Sequence, residues 1–259
     1  MFLTKKGAVS QNHFIYLYVK SIYNMKHTKY IIYLFLFLLY GCSLEKDEQL
    51  LLSSNNGSFS TLGTVVDTER ITIDSDTYGT LLPINTSIFT DNKVNILGQR
   101  VLLEILFLNE NKQNNNVQAK DVKIISLYKV LTKDADIITS EETAESVNDI
   151  FGTAPIFITS STISKEHLNI QYEIGGNNSN ISHRISLLVP QNAHLDENGL
   201  LPVELRHNAG ADLQINSYWG VVSFTLSSIP QYQDSAFKGF RILYKNKEGD
   251  DIHTVTLHK

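Results

Sequence analysis

Cys42 carries the clearest chemistry in this chain, and it is the sole cysteine. It ends the stretch Leu39-Tyr40-Gly41-Cys42, directly after the apolar run Tyr30–Leu39. A thiol at that offset can take a diacylglycerol, and the small Gly41 lets a signal peptidase reach the Gly41–Cys42 bond. The run suits a secretory h-region of about 7–15 residues and falls short of the roughly 20 needed to span a bilayer. The segment therefore reads as a lipoprotein signal, with residues 1–41 as the signal peptide. The alternatives are an ordinary signal peptide with a chance cysteine, or a buried core cysteine. Acyl chains on Cys42 would anchor the chain firmly, since each buried methylene contributes about 0.8 kcal/mol. Lys26 and Lys29 form a compact cationic leader behind Met25, which makes a better start than Met1.

Other residues capable of chemistry are scattered. Six histidines follow Cys42: His167, His183, His194, His207, His253 and His258. None forms a His-x-x-x-His pair, and no metalloprotease pattern, nucleophile elbow, P-loop or dinucleotide fingerprint occurs. His183 falls on an apolar strand face and reads first as a satisfied core histidine. His207 can line a cleft or, the more common role, orient a loop through hydrogen bonds. Asp196-Glu197-Asn198-Gly199 opens like a calcium loop but lacks the further ligands, so it reads as a turn. Asp74-Ser75-Asp76 reads as a turn as well. Trp219 between Tyr218 and Gly220 can stack on a sugar ring, but a large aromatic in a sandwich strand is more often core. Asp234-Ser235-Ala236 fits a short O-glycosylation pattern at Ser235. No cofactor or metal site is indicated, and no catalytic residue can be named.

Composition narrows the partners. Setting aside the five lysines ahead of Cys42 leaves 27 acidic against 17 basic residues, a net charge near −10. Such a chain opposes nucleic acid and anionic headgroups, so membrane attachment rests on the lipid at Cys42. With that thiol acylated, none remains for a disulfide or a thiolate metal site. Residues 42–57 read as a lipidated tether. Its segment Glu45-Lys46-Asp47-Glu48 resembles a surface-export signal, with a solvated linker as the alternative.

The elements that must position these groups are strands. Val101, Leu103, Ile105 and Phe107 share one face by period two. Val122, Ile124, Ser126, Tyr128 and Val130 do the same, as do Leu168, Ile170, Tyr172 and Ile174. Ile181 to Val189 and Phe240 to Tyr244 repeat the pattern, which half-buried antiparallel strands produce. Connectors such as Gly175-Gly176-Asn177-Asn178 are rich in turn formers. The chain reads as all-β. One segment differs: Thr139-Ser140-Glu141-Glu142 resembles a capping box, placing a short helix there that Gly152 to Pro155 would end. Residues 58–138 then form one β unit, 139–154 a linker with that helix, and 155–259 a second β unit.

Particular stretches carry a resemblance. Tyr78-Gly79-Thr80-Leu81-Leu82-Pro83-Ile84-Asn85 with Gly98-Gln99-Arg100-Val101 resembles the N-terminal domain of the NigD-like lipoproteins of Bacteroidota. Leu205-Arg206-His207-Asn208-Ala209, Tyr218-Trp219-Gly220 and the ending Lys238 to Lys245 resemble that family's C-terminal domain. The likeness covers roughly residues 58–258. It implies an OB-like barrel followed by an immunoglobulin-like β-sandwich. It also implies an outer-membrane lipoprotein without catalytic residues to carry over, and the family's naming after a bacteriocin operon implies immunity. Three readings follow: an envelope lipoprotein binding a protein or glycan partner, an immunity-type lipoprotein, or an enzyme with a site assembled from scattered residues.

Overall fold

The computed structural model describes residues 57–108 and 119–257, and Asn56–Lys259 form one compact unit. Gly41, Cys42 and the Glu45–Glu48 segment lie outside the described residues.

The first part is a closed five-stranded barrel. Strands β1 (Phe59–Asp67), β2 (Thr72–Ser75), β3 (Gly79–Pro83), β4 (Arg100–Phe107) and β5 (Lys120–Lys129) follow the order β1-β2-β3-β5-β4. A short helix, α1 (Ser87–Asp91), lies between β3 and β4, and β3 runs parallel to β5. This is the OB arrangement expected from the resemblance. Val65, Ile73, Leu81, Val101, Leu103 and Ile105 fill the interior, so β4 alternates as its sequence predicts. Strand β5 does not. The register shifts where β4 passes from Glu104 to Ile105, which leaves Ile125 without a partner. One extra residue exchanges the two faces. Val122 and Ile124 point inward, but beyond the bulge Leu127 is buried and Tyr128 faces out.

The second part is a two-sheet sandwich. Its strands are β6 (Leu131–Asp134), β7 (Asp136–Ile138), β8 (Ile156–Ile163), β9 (His167–Gly176), β10 (Arg184–Pro190), β11 (Leu200–Asn208), β12 (Asn216–Thr225), β13 (Gly239–Lys245) and β14 (Asp250–Thr256). One sheet has the order β14-β13-β11-β10-β7, the other β6-β12-β9-β8. Leu168, Ile170, Leu187, Leu205, Phe224 and Phe240 sit between them, fully buried. Burying their apolar area supplies the main stabilising term, at about 25 cal/mol per Å² removed from water.

The expected break after residue 138 moves to about Val130. β6 pairs with β12 and β7 with β10, so residues 131–138 already belong to the sandwich. The chain changes sheets at Ala135, whose amide donates to Ser228 Oγ at 2.9 Å. Period-two patterning could not locate this step, because both short strands are only half-buried.

The short helix exists as α2 (Ala144–Phe151), but it starts later than expected and connects one sandwich sheet to the other. Its cap is Thr143, whose Oγ1 accepts from the Ser146 amide at 3.2 Å. Thr139 caps nothing; its amide instead donates to the Glu142 carboxylate at 2.7 Å. The half of the capping box that reaches backward formed, one turn ahead of the helix.

Candidate functional site

Among the described residues, stretches singled out in the sequence lie at three places where polar or aromatic groups come together.

The first is the end of α2. Arg206 donates to the Gly152 carbonyl at 3.2 Å and to Asn148 Oδ1 at 3.1 Å, while Asn208 Nδ2 donates to the Ile150 carbonyl at 3.1 Å. They satisfy helix C-terminal carbonyls that have no partner of their own. Gly152 has φ 73°, and a Cβ there would lie 2.5 Å from Asn208 Cα. Only glycine fits between helix and sheet. The neighbouring His207, 1% exposed, holds the next loop residue: Nδ1 donates to the Pro155 carbonyl at 2.9 Å.

His183 stacks on His207, ring centroids 5.0 Å apart, with its Nδ1 2.8 Å from His207 Nε2. His183 Nε2 in turn lies 3.0 Å from Asp212 Oδ2. That carboxylate also accepts from the amides of Asn177 and Asn178, at 2.8 and 3.0 Å. Hydrogen-bond accounting limits the protons. Pro155 O only accepts, so His207 Nδ1 carries hydrogen; the Asp212 carboxylate accepts from His183 Nε2; and the contact between His183 Nδ1 and His207 Nε2 holds one hydrogen between the two rings. Burial pushes the His207 imidazole below the ordinary histidine range; the Pro155 carbonyl opposes this and His183 adds to it. The Asn177 amide is the main reason Asp212 sits below the usual carboxylate range. All four ring nitrogens are engaged within the protein, and none offers a lone pair to a substrate or metal. His183 is therefore a satisfied histidine just ahead of β10, and His207 orients a loop.

The second place joins barrel to sandwich. Arg100, 1% exposed, forks onto the Asp76 carboxylate at 2.8 and 2.6 Å and donates to Asn169 Oδ1 at 2.9 Å. Asn169 also accepts from Ser223 Oγ at 2.7 Å and donates to Asp76 at 3.2 Å. A planar fork held by a carboxylate and an amide defines distance and angle at once. The expected turn at Asp74–Asp76 begins one strand-end later: Asp74 and Ser75 belong to β2, and Asp76 belongs to this junction. Sequence reasoning missed the pairing. Its only trace is Arg100 at the start of a strand whose other buried residues are all apolar. His167 lies beside it, held below its ordinary range by burial and then by the Arg100 charge.

The third place corrects the reading of Trp219 as core. It is 49% exposed on the outer face of the four-stranded sheet, against Tyr128 of the barrel. Gly220 explains the neighbouring alternation, since its missing side chain is replaced by the Tyr172 ring across the sheet. On the opposite sheet, a groove of about 590 Å³ is floored by Leu188, Pro190, Pro202 and Leu243 and flanked by Val147 of α2 and Ile252 of β14. Asp196–Gly199 forms a turn, with Asp196 Oδ1 accepting from the Asn198 and Leu200 amides. Ser235 is exposed in another turn. Among the described residues, no group of three or more His, Cys, Asp or Glu is placed to hold a metal.

Residues 137–258 match the family model of the NigD-like C-terminal beta sandwich domain. The C-terminal sandwich of this chain is thus similar to that of the NigD-like family. Its Arg206-His207-Asn208 stretch is the seat of α2, and its Tyr218-Trp219-Gly220 stretch is the exposed edge of the four-stranded sheet. Solved structures share the fold across both domains of this chain. A protein described as toxin-related from Parabacteroides distasonis ATCC 8503 aligns at 24% identity over 76% of this chain and 92% of its own, with a TM-score of 0.55. A NigD-like immunity protein from Bacteroides caccae ATCC 43185 aligns at 15% identity over 78% and 92%, TM-score 0.50. A protein described as a lipoprotein from Bacteroides fragilis NCTC 9343 aligns at 12% over 78% and 99%, TM-score 0.51. No curated protein matches the chain.

Proposed function

We propose that this chain is a non-catalytic recognition lipoprotein of the outer membrane that captures a cationic amphipathic peptide segment in the groove on its five-stranded sheet. The groove carries the reading. It is concave, its floor is aliphatic and its volume lies in the range of binding clefts. Leu243 and Ile252 remain partly exposed there, although a strand beside a packed sheet ordinarily shows polar residues outward. The net charge near −10 favours approach of a basic partner. Lipid on Cys42 supplies the anchor, Glu45-Lys46-Asp47-Glu48 the export to the cell surface, and Ser235 an accessible site for a glycan.

The groove is tested with an alternating Leu/Lys peptide and a Leu/Glu peptide in calorimetry. The Leu/Lys peptide should bind and Leu243→Asp should abolish binding; equal binding to both variants sinks the groove. Anchoring is tested separately, since Cys42→Ala should move the protein out of the membrane fraction. Replacing Glu45, Asp47 and Glu48 with Ala should leave it lipidated but protected from protease added to intact cells.

An immunity role is the narrower second reading, in which the captured segment belongs to a toxin. The shared fold of the immunity protein from B. caccae supports it. Deleting the gene should then sensitise the producer to a toxin encoded beside it, and Leu243→Asp should fail to restore protection.

A further inference from the structure

Trp219 and Tyr128 meet edge to face, ring centroids 6.1 Å apart and planes at 76°, with about half of each side chain open to solvent. One stands on the outer face of the four-stranded sheet, the other on the outer wall of the barrel. The barrel wall beside Tyr128 is polar. Register sets Ser60, Glu104 and Ser126 in one row across β1, β4 and β5, and Leu62, Leu102 and Tyr128 in the next. The Glu104 carboxylate accepts from Ser58 Oγ through one oxygen and from Ser126 Oγ through the other, the latter at 3.3 Å. Ser58, Ser60, Leu102, Glu104, Ser126 and Tyr128 line a hollow of about 300 Å³. On the sheet, Trp219 stands opposite Glu173, with Phe157 on the strand beyond, also half-exposed.

We propose that this surface is a carbohydrate site for a neutral hexose oligosaccharide. Tyr128 and Trp219 cover sugar ring faces, and Glu104 with Ser60 and Ser126 holds sugar hydroxyls. A pyranose ring presents C–H groups on its faces and hydroxyls around its edge, and aromatic side chains offer matching flat apolar faces. A carboxylate keeps spare lone pairs after accepting two serine hydroxyls, and each hydroxyl can both donate and accept. Burying this row against an apolar protein surface would leave the spare lone pairs of Glu104 and the Ser60 hydroxyl without partners. A ligand rich in hydroxyls satisfies them. Glu104 and Glu173 repel acidic sugars, which limits the class to neutral ones. The perpendicular rings present two faces at different angles, so consecutive sugar units of a bent chain can each meet one. This site lies on the face opposite the groove and stands independently of peptide capture there.

Trp219 is the sole tryptophan, so its emission reports on the site directly. The mature chain is titrated with hexamers of glucose, of mannose and of galactose, and with polygalacturonate as the acidic comparison. At least one neutral hexamer should shift the emission saturably, and polygalacturonate should not. Tyr128→Ala and Glu104→Gln should each weaken binding about tenfold, while Leu243→Asp leaves it unchanged. Calorimetry follows Trp219→Ala, which should bind none of them, and circular dichroism checks that every variant is folded. The proposal is overturned if no neutral hexamer binds at millimolar concentration by either method. It is equally overturned if binding survives both Tyr128→Ala and Glu104→Gln.

Discussion

Two polar constructions hold this molecule's β layers in place, and they are built from different chemistry. The junction between barrel and sandwich centres on a guanidinium that stays charged at any accessible pH, forked on Asp76 and braced by Asn169. Beside the seat of α2 within the sandwich, the other construction runs instead through two imidazoles, from Asp212 to the Pro155 carbonyl. The first fixes one domain against another. The second ties loops to a sheet that is already packed. A permanent charge suits the joint with few apolar contacts of its own, while titratable rings suffice where the hydrophobic core supplies most of the stability. The contrast also separates two kinds of failure, one insensitive to pH and one governed by it.

The sharpest way to break the contrast is Asp76→Ala. It leaves the Arg100 guanidinium buried without its carboxylate, and stability should fall by roughly 3–5 kcal/mol. Urea unfolding at pH 5, 6 and 8 should give nearly the same loss at each pH. A loss that vanished at one of them would undo the assignment of a fixed-charge joint.

Replacing His207 with Phe should cost less, on the order of 2 kcal/mol, because the Pro155 carbonyl and a His183 nitrogen each lose a partner while the volume stays filled. The same variant sharpens the pH comparison. His207 titrates below its ordinary 6.5 in the folded protein, so its contribution is complete above that pH and is lost as pH falls through the depressed value. His167 and His253 are lowered too and act with the same sign. Wild-type stability should therefore decline below about pH 6.5, and His207→Phe should flatten part of that decline. An unchanged slope would mean that His207 is not a titrating member of the chain.

Gly152→Ala addresses the same seat through the backbone. Positive φ and the approach of Asn208 should together cost about 1–3 kcal/mol, seen as a lower urea midpoint with an unchanged m-value. The smallest effect is expected from Thr143→Ala, about 1 kcal/mol for the lost cap of α2. Hydrogen exchange should show faster opening of the first helical turn while β10 and β11 stay protected. If instead the whole sandwich exchanged faster, the helix would be an integral part of the core and not a piece laid upon it.

Strand β4 could be read directly, since its aliphatic residues alternate without interruption and every second one is buried. The stretch of β9 from Ile170 to Ile174 and all of β13 were equally plain. β5 was legible only up to its bulge, because an extra residue leaves no mark in the composition around it. β6 and β7 were invisible as sandwich strands, being short and half-exposed, and so the expected domain break fell eight residues late. The stretch Arg206-His207-Asn208 stood out as a loop-orienting element before any partner was known. Its partners, Asn148, Gly152 and Pro155, lie more than fifty residues earlier, and periodicity carries no information over that span.

What the sequence determined alone is local: the alternation that makes strands, the turn residues between them, an acidic balance, and one cysteine placed behind an apolar run. Tertiary structure decided everything that depends on which surfaces meet. It put Arg100 into the crevice between two β layers, drew His183 and His207 into contact, and turned Trp219 outward beside Tyr128. The physical reason is that burial and exposure belong to assembled layers. A tryptophan with the same neighbours in the chain can face a core or face water. The choice falls to the register of β12 on β9 and to the barrel wall that stands beside them.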